Sequence, residues 1–176
     1  MDITKDKTII TCPEFPTHVL KSKARRAVYK LDDEGKPILA NPKSAGKPSY
    51  IKINGQNFYS GFGSHFERIK IVNYLKDYYR TFIQDIEPIT CYPIKLALDI
   101  HRPYDKRNWD LDNLSWIYIK TFQDELVKQG KLPDDNINYI TDIGYKFYPV
   151  KNEKSRKLIF TLTPDNRKIL FKHDEK

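Results

Sequence analysis

Acidic side chains are concentrated at two points in the second half of the chain. The stretch WDLDNL (residues 109–114) contributes Asp110 and Asp112, and LPDDN (residues 132–136) follows later. In extended chain, residues i and i+2 project to the same side, so Asp110 and Asp112 can converge on one site. Carboxylates brought together repel and need a cation, and Mg²⁺ is usually held by one or two carboxylates plus substrate phosphate. These acids therefore indicate phosphodiester hydrolysis, in which the metal activates water and stabilises charge on the phosphate.

The same acids also have a purely structural interpretation. Asp110 is a good N-cap, Asp112 in the first turn complements the helix dipole, and residues 133–136 have ordinary turn composition. A helix of about 18 residues is about 27 Å long. Asp134 and Asp135 therefore come back to Asp110 only along the next strand or across a dimer. An Asp-x-Asp pair is too common to decide between the two interpretations.

A strand, a loop and a helix are predicted to position WDLDNL. Residues 92–101 alternate between apolar and polar, which predicts a half-buried strand. Residues 102–109 follow as a polar, basic loop. Apolar residues at three- and four-residue spacing predict one helix over residues 111–129 and another over residues 64–83.

The remaining segments are predicted as short strands. KTIITC (residues 7–12) and YIKIN (50–54) have strand character, and RRAVYKL and KPILA (25–40) form two strands around a turn. INYITDIGYKFYP (137–149) and RKLIFTLTP (156–164) are predicted to form a hairpin around VKNEKS. Mixed strands and helices predict the α/β or α+β class.

Length and composition restrict the class of protein. A chain of 176 residues fits one domain, taken as residues 1–176. Two cysteines do not make a disulfide framework, and their scarcity fits a reducing compartment. The start lacks the apolar stretch of a signal peptide, and no apolar run approaches the roughly 20 residues of a membrane span. We therefore expect a soluble, cytoplasmic protein.

Charge is unevenly distributed along the chain. The formal net charge is +8, of which residues 1–63 carry +5, residues 64–150 carry −1 and residues 151–176 carry +4. The acidic stretches thus lie in a near-neutral section between two basic flanks. A basic surface attracts polyanions at long range, so nucleic-acid binding is one interpretation and an uncommitted lysine-rich surface is the other.

Two groups of basic residues are candidates for contact with DNA. The first group flanks the acids and consists of Arg102, Lys106 and Arg107. The second lies in KSKARR and includes Lys23, Arg25 and Arg26. Arginine pairs bidentately with phosphate, whereas the alternatives are a solvated loop for the first group and a solubilised edge strand for the second.

The string DLDNL at the start of a helix, followed by DELVKQGKLPDDNINYI, resembles the RusA family of Holliday junction resolvases. The resemblance follows the order of elements from about Tyr50 to Leu162 and includes the strand that ends in HRP. It fades over residues 13–49, which are longer than the family's usual N-terminal segment. It implies a mixed β-sheet flanked by two main helices in a homodimer, with residues 13–49 as an extension and residues 163–176 as a basic tail.

The resemblance also implies an activity and its residues. Members of the family are Mg²⁺-dependent endonucleases, encoded by bacteria or their phages, which cut four-way DNA junctions by paired nicks in recombination and repair. Their acidic residues match Asp110, Asp112 and Asp135, with Asp134 as the preceding partner. Asn113 matches the family's asparagine.

One position departs from the family pattern. The family commonly has a lysine one helical turn after the second aspartate, where this chain has Trp116. The next lysine on that face is Lys120, about 12 Å along the helix axis from Asp112, and Lys106 or Arg107 could also substitute. Two alternatives therefore stay open: a nuclease for other branched nucleic acids, and a junction-binding protein that has lost activity.

Overall fold

A four-stranded mixed sheet with two long helices forms the main body of the computed structural model, which describes residues 7–22, 28–31, 37–39, 49–53, 65–104 and 111–166. The strands are β1 (Thr8–Pro13), β2 (His18–Ser22), β3 (Val28–Leu31), β4 (Pro37–Leu39), β5 (Ser49–Lys52), β6 (Ile94–Pro103), β7 (Ile140–Val150) and β8 (Lys157–Pro164). The helices are α1 (His65–Ile83) and α2 (Leu111–Lys128), and Glu153–Ser155 forms a 3₁₀ turn. The predicted mixed α/β class is therefore confirmed.

The alternating sequence of β6 explains which of its side chains are buried. Four of its apolar side chains, Ile94, Leu96, Leu98 and Ile100, are buried in the core with residues of both helices. The residues between them are exposed or half-buried on the opposite face. The helices therefore cover one face of the sheet only, which is the usual reason for a two-residue period in a strand.

The sheet order corrects one prediction. Residues 137–164 do not form a hairpin, because the order is β1-β8-β6-β7 and β6 separates the two strands. β7 runs parallel to β6, and β8 runs antiparallel to both β6 and β1. The physical reason is burial: Leu158, Phe160 and Leu162 of β8 align with Ile100, Leu98 and Leu96 of β6, which joins two apolar faces in one core.

Two smaller antiparallel pairs involve the first third of the chain. β3 pairs with β4, as the turn composition predicts, and β5 pairs with β2, a strand that the sequence pattern does not reveal. Val19 and Ile51, aligned across the β2–β5 pair, are both buried in the core. The predicted extension of residues 13–49 thus contributes side chains to the core.

The sheet extends into the predicted C-terminal tail. β8 continues to Pro164, and the Asp165 side chain is buried. Its carboxylate accepts a hydrogen bond from Thr141 Oγ1 at 2.6 Å and lies 3.6 Å from Lys95 Nζ, while its amide donates to Pro93 O at 2.7 Å. Residues 163–165 therefore belong to the folded sheet.

Neither described helix combines the length and apolar character that a membrane span needs.

Three aromatic rings join both helices to the sheet. Phe122 of α2 stacks on Phe160 of β8, with ring centroids 3.7 Å apart. Tyr79 of α1 meets both rings edge-on at 5.4 Å and 5.6 Å. All three side chains are fully buried. Edge-to-face contact of this kind stabilises beyond the area that it buries, so this cluster fixes α2 relative to the sheet.

We expect Phe160→Ala to lower the free energy of unfolding by about 3–5 kcal/mol, because it leaves a cavity among three elements. Urea denaturation followed by circular dichroism measures the effect. Ile137→Ala is the control, since Ile137 is 71% exposed and its loss should change stability by less than about 0.5 kcal/mol. Equal urea midpoints for wild type and Phe160→Ala would contradict this role of the cluster.

Candidate active site

Most of the accessible residues of α2 form one narrow stripe. Asp112, Trp116, Lys120 and Asp124 recur every four residues and are exposed or half-buried, whereas the helix is otherwise mostly buried. Residues four apart share a helix face. Packing of α2 against the sheet and α1 therefore presents two acids, a lysine and an exposed tryptophan along one line.

Two buried hydroxyls of α2 satisfy their hydrogen bonds within the helix. Ser115 Oγ donates to Leu111 O at 2.8 Å, and Thr121 Oγ1 donates to Ile117 O at 2.6 Å. These bonds to the carbonyl one turn back let hydroxyls lie in an apolar environment. Because these hydroxyls are buried and bonded to the helix's own carbonyls, a ligand cannot reach them. Chemistry on α2 is therefore restricted to the stripe.

An ion-pair chain links the stripe to α1 and to the loop after α2. The Lys120 ammonium contacts both Asp135 Oδ2 and Asp124 Oδ1, the latter at 2.9 Å. Asp124 Oδ2 in turn lies 2.9 Å from Lys76 Nζ of α1. The order Lys76, Asp124, Lys120, Asp135 alternates in charge, so each carboxylate is next to a cation.

This chain of charges shifts two pKa values. Burial alone would lower the pKa of Lys120, but hydrogen bonds to Asp135 and Asp124 outweigh it and hold that pKa above 10.5. Burial alone would raise the pKa of Asp124, but hydrogen bonds from Lys76 and Lys120 hold that pKa below 3.8. Both groups are therefore charged at neutral pH, and Lys120 acts as a fixed positive charge.

The loop after α2 directs Asp135 back towards the helix. Gly130, with φ of 65°, ends α2 in the left-handed conformation that favours glycine. Lys131 Nζ then donates to Gln84 O at 2.9 Å and Ile86 O at 2.6 Å, which ties the loop to the end of α1. Leu132 is buried in the core. The loop is therefore anchored to the end of α1 by Lys131 and to the core by Leu132.

Asp134 organises the turn that carries Asp135. Its Oδ1 accepts a hydrogen bond from the Asp135 amide at 2.7 Å, and its Oδ2 accepts one from Asn136 Nδ2 at 2.5 Å. Asn136 O accepts hydrogen bonds from the amides of Tyr139 and Ile140. Asp134 therefore has a structural role in the described arrangement, while Asp135 faces α2. A cleft of about 230 Å³ beside them is lined by Lys76, Asp124, Val127, Lys128 and Asp135.

The structure brings some of the predicted site residues together and keeps others apart. Asp135 meets Lys120, the lysine that the sequence indicates as a substitute for the family's lysine. Asp112 lies at the start of α2, about 12 Å along the axis from Lys120. Asp135 therefore meets the stripe at Lys120, two helical turns after Asp112.

Carboxylate oxygens are the donors that Mg²⁺ prefers, at 2.0–2.1 Å from the ion. Within residues 7–22, 28–31, 37–39, 49–53, 65–104 and 111–166, no group of three or more potential ligands from His, Cys, Asp and Glu is close enough to hold a metal. Asp110, the predicted ligand nearest to Asp112 in sequence, lies outside these residues. The predicted set of Mg²⁺ ligands, Asp110, Asp112 and Asp135 with Asp134, therefore stays a prediction.

Among the predicted DNA contacts, Arg102 is described and half-buried at the end of β6. Lys106, Arg107, Lys23, Arg25 and Arg26 lie outside the described residues.

A basic patch around Arg102 includes residues that sequence reasoning missed. The pKa of His18 is held below 6.5, first by burial and then by the positive charges of Lys52, Arg102 and Arg156. These four residues define the basic patch. They come from β2, β5, β6 and the turn before β8, so only the folded chain brings them together. A cluster of like charges raises the local concentration of anions.

Sequence reasoning also missed a buried carboxylate between the helices. Glu125 is fully buried, and its Oε1 accepts hydrogen bonds from Arg80 Nε at 3.1 Å and Gln129 Nε2 at 2.8 Å. Its Oε2 has no hydrogen-bond partner among the described residues. The only available signal was an acid inside the apolar stripe of a predicted helix. Glu125 joins α2 to α1 behind the accessible stripe.

Comparison of the chain with models of known protein families found no match, and comparison with curated proteins found none either.

The ion-pair chain predicts how stability depends on pH. Because the pKa of Asp124 is lowered on folding, its contribution is present above the unfolded pKa, near 3.8, and is lost as pH falls through the folded value. Asp124→Asn should therefore unfold at lower urea than wild type above pH 4, by up to about 1 kcal/mol, and the gap should shrink as pH falls below 3.8 and through the folded pKa of Asp124.

The matched control is a double variant, Lys76→Gln with Lys120→Gln. In that background, Asp124→Asn should produce no such gap, because both cations that lower the pKa are gone. A gap that does not shrink as pH falls below 3.8, or that remains unchanged in the double-variant background, would rule out the ion pairs as its cause.

The basic patch predicts a measurable titration of His18. Lys52→Gln should raise the pKa of His18, because it removes the strongest of the repelling charges. Imidazole NMR titration measures the value, and Lys70→Gln on α1 is the control for loss of one lysine charge. Added DNA should raise the pKa of His18 by about one unit or more if phosphate binds there. A pKa at or above 6.5 in the free protein would contradict the patch.

Proposed function

We propose that this chain is a Mg²⁺-dependent endonuclease of the RusA type, which resolves four-way DNA junctions by paired nicks during recombination and repair. The observation that supports it best is the contact between Lys120 and Asp135. The sequence departs from the family pattern at Trp116 and indicates Lys120 as the substitute cation. The ammonium of Lys120, which lies on the same stripe as Asp112, contacts Asp135 of LPDDN.

The proposed roles follow from the charges along the stripe. Asp110 and Asp112 would hold Mg²⁺ at the start of α2. When bound, Mg²⁺ activates water and neutralises charge on the scissile phosphate. Asp135, with Asp134 shaping its turn, keeps Lys120 protonated and oriented. A lysine held protonated cannot act as a base, so Lys120 would stabilise negative charge on the phosphate.

The basic patch would bind the DNA backbone next to the site. Arg102 and Arg156 can pair with phosphate oxygens, and such contacts position a duplex without reading its sequence. The loop residues Lys106 and Arg107, and the KSKARR cluster, would extend this surface. A homodimer would present two sites, one for each of the opposed strands of a junction.

A second candidate function is a junction-binding protein without cleavage. Two observations favour it: Asp135 is neutralised by Lys120, and Trp116, 43% exposed, takes the place of the family's lysine. An exposed tryptophan is a good stacking surface for unpaired bases. Binding would then use the same stripe and basic patch without chemistry.

We expect the wild-type chain to cut a synthetic four-way junction in the presence of Mg²⁺, and Asp112→Asn to cut it at least about 100-fold more slowly, because a metal ligand is lost. Gel assays of end-labelled strands measure both rates. Asp85→Asn, an exposed acid beyond the end of α1, should cut at the wild-type rate.

The substrate panel separates the candidate functions. Equal rates on fork and junction would indicate a nuclease of broader selectivity. Tight junction binding with no cleavage in any divalent metal would favour the second candidate. Cleavage by Asp112→Asn at the wild-type rate would refute the proposed metal ligands.

A further inference from the structure

β7 forms an unusually open edge of the sheet. It is 11 residues long, pairs with β6 along one side, and is the terminal strand among the described strands of its sheet. Most of its side chains are exposed, including Ile143, Tyr145 and Tyr148 at 39% each. Every second residue of an edge strand directs its N–H and C=O away from the sheet, which makes a long edge a template for another strand.

The two faces of β7 differ in character. Asp142, Gly144 and Lys146 align with Lys95, Ala97 and Asp99 of β6, on the face without helices. Ile143 and Tyr145 align with the buried Leu96 and Leu98, on the face that the helices cover. These two apolar side chains are exposed because they lie beyond the helix layer at the edge. The edge therefore offers apolar contact on one face and charge on the other.

The sequence of β7 is self-complementary in one antiparallel register. When two antiparallel copies of β7 are centred on Gly144, Gly144 of one copy lies opposite Gly144 of the other, and residues equally far before and after it lie opposite each other. Asp142 then faces Lys146 of a second copy, and Lys146 faces Asp142 of that copy. On the other face, Ile143 meets Tyr145 of the second copy, an aromatic and β-branched pair. Opposite charges and such apolar pairs both stabilise neighbouring strands.

Neighbouring registers lose this match. If the pair were centred on Ile143 or on Tyr145, Asp142 of one copy would not lie opposite Lys146 of the other. If one strand slipped by a single residue, its side chains would turn to the wrong face of the sheet. In the Gly144 register, the charges also continue across the sheet. Across the four strands nearest the twofold axis, the side chains in order are Lys95 and Asp142 of one copy, then Lys146 and Asp99 of the other. Their charges therefore alternate in sign. The occupant that fits this edge is thus the edge itself.

We propose that two copies of this chain pair through β7, antiparallel and centred on Gly144, to form one sheet of eight strands, four from each copy. The twofold axis runs perpendicular to the sheet, so the helix layers of both copies lie on the same side. The two accessible stripes of α2 then face one side of the dimer. The proposed function already calls for a homodimer, and this pairing names its interface. The argument for it rests on β7 alone, so the tests of the interface can fail while cleavage is observed, and the reverse.

Charge reversal tests the register. Asp142→Lys and Lys146→Asp each place like charges opposite each other in a self-pair, and each should raise the dimer dissociation constant at least about tenfold. The double variant Asp142→Lys with Lys146→Asp restores opposite charges and should dimerise like wild type. A mixture of the two single variants should form a mixed dimer, since every pair across the edge is then of opposite sign.

Sedimentation velocity at several concentrations measures these equilibria, independently of any nuclease activity. Asp85→Lys and Lys154→Asp are matched controls, because they make the same charge changes at exposed positions away from β7. Circular dichroism confirms folding of each variant. A monomeric wild type, single variants that dimerise like wild type, or a mixture that stays monomeric would each overturn the proposal.

A cross-link provides a second test that needs no charge change. A Cβ at Gly144 would meet nothing within 4 Å, so Gly144→Cys fits the fold. Two opposed residues of an antiparallel pair have Cα atoms about 4.5–5.5 Å apart, within the span of a disulfide. In a Cys91→Ser background, with Cys12 buried and its pKa raised to about 12, Gly144→Cys should give a covalent dimer on mild oxidation. Gly130→Cys should not, and cross-linking of both variants to the same extent would contradict the register.

Discussion

Burial of α2 is the constraint on which the rest of the structure depends. Its inner side packs on β6 and β8 through the Phe122–Phe160 stack, and its flank packs on α1 around Tyr79 and Glu125. A helix enclosed in this way can present only one narrow line of side chains. The four-residue period then decides which ones, and it selects two acids, a tryptophan and a lysine. Fold stability and the position of the candidate chemistry thus have the same cause.

Local sequence patterns predicted the secondary structure because each element carries its own period. The alternation in β6 and the helical spacing in α2 reflect burial on one side, and both elements begin and end close to where the sequence places them. The partners of β7 and β8 could not be predicted in the same way. A turn composition between two strands says that the chain bends there, not that the strands pair. The deciding term is burial of the apolar face of β8 against β6, a contact made only in the folded sheet.

The candidate site was predictable to the extent that its residues lie on one element. The resemblance to the RusA family calls for a cation near Asp112, and spacing along α2 makes Lys120 the first candidate, a role that stays a prediction. Asp124 and Lys76 were not predicted, because their roles require α1 to lie beside α2. The basic patch of His18, Lys52, Arg102 and Arg156 was missed for a similar reason. Net charge along the chain revealed two basic flanks, but only the fold brings members of both flanks to the end of β6.

The central position of β8 has a consequence for how the protein is made. β8 lies between β1 and β6, so Thr8 aligns with Leu162 although they stand near opposite ends of the chain. At synthesis rates of about 5–20 residues per second, β1 waits roughly 8–30 s after it is made before its neighbour exists. Once β6 has been made, it too lacks one of its two flanking strands, so one edge of each strand has backbone N–H and C=O groups that await β8. The nascent chain therefore carries two open strand edges, which are templates for pairing with another chain, until β8 has been made.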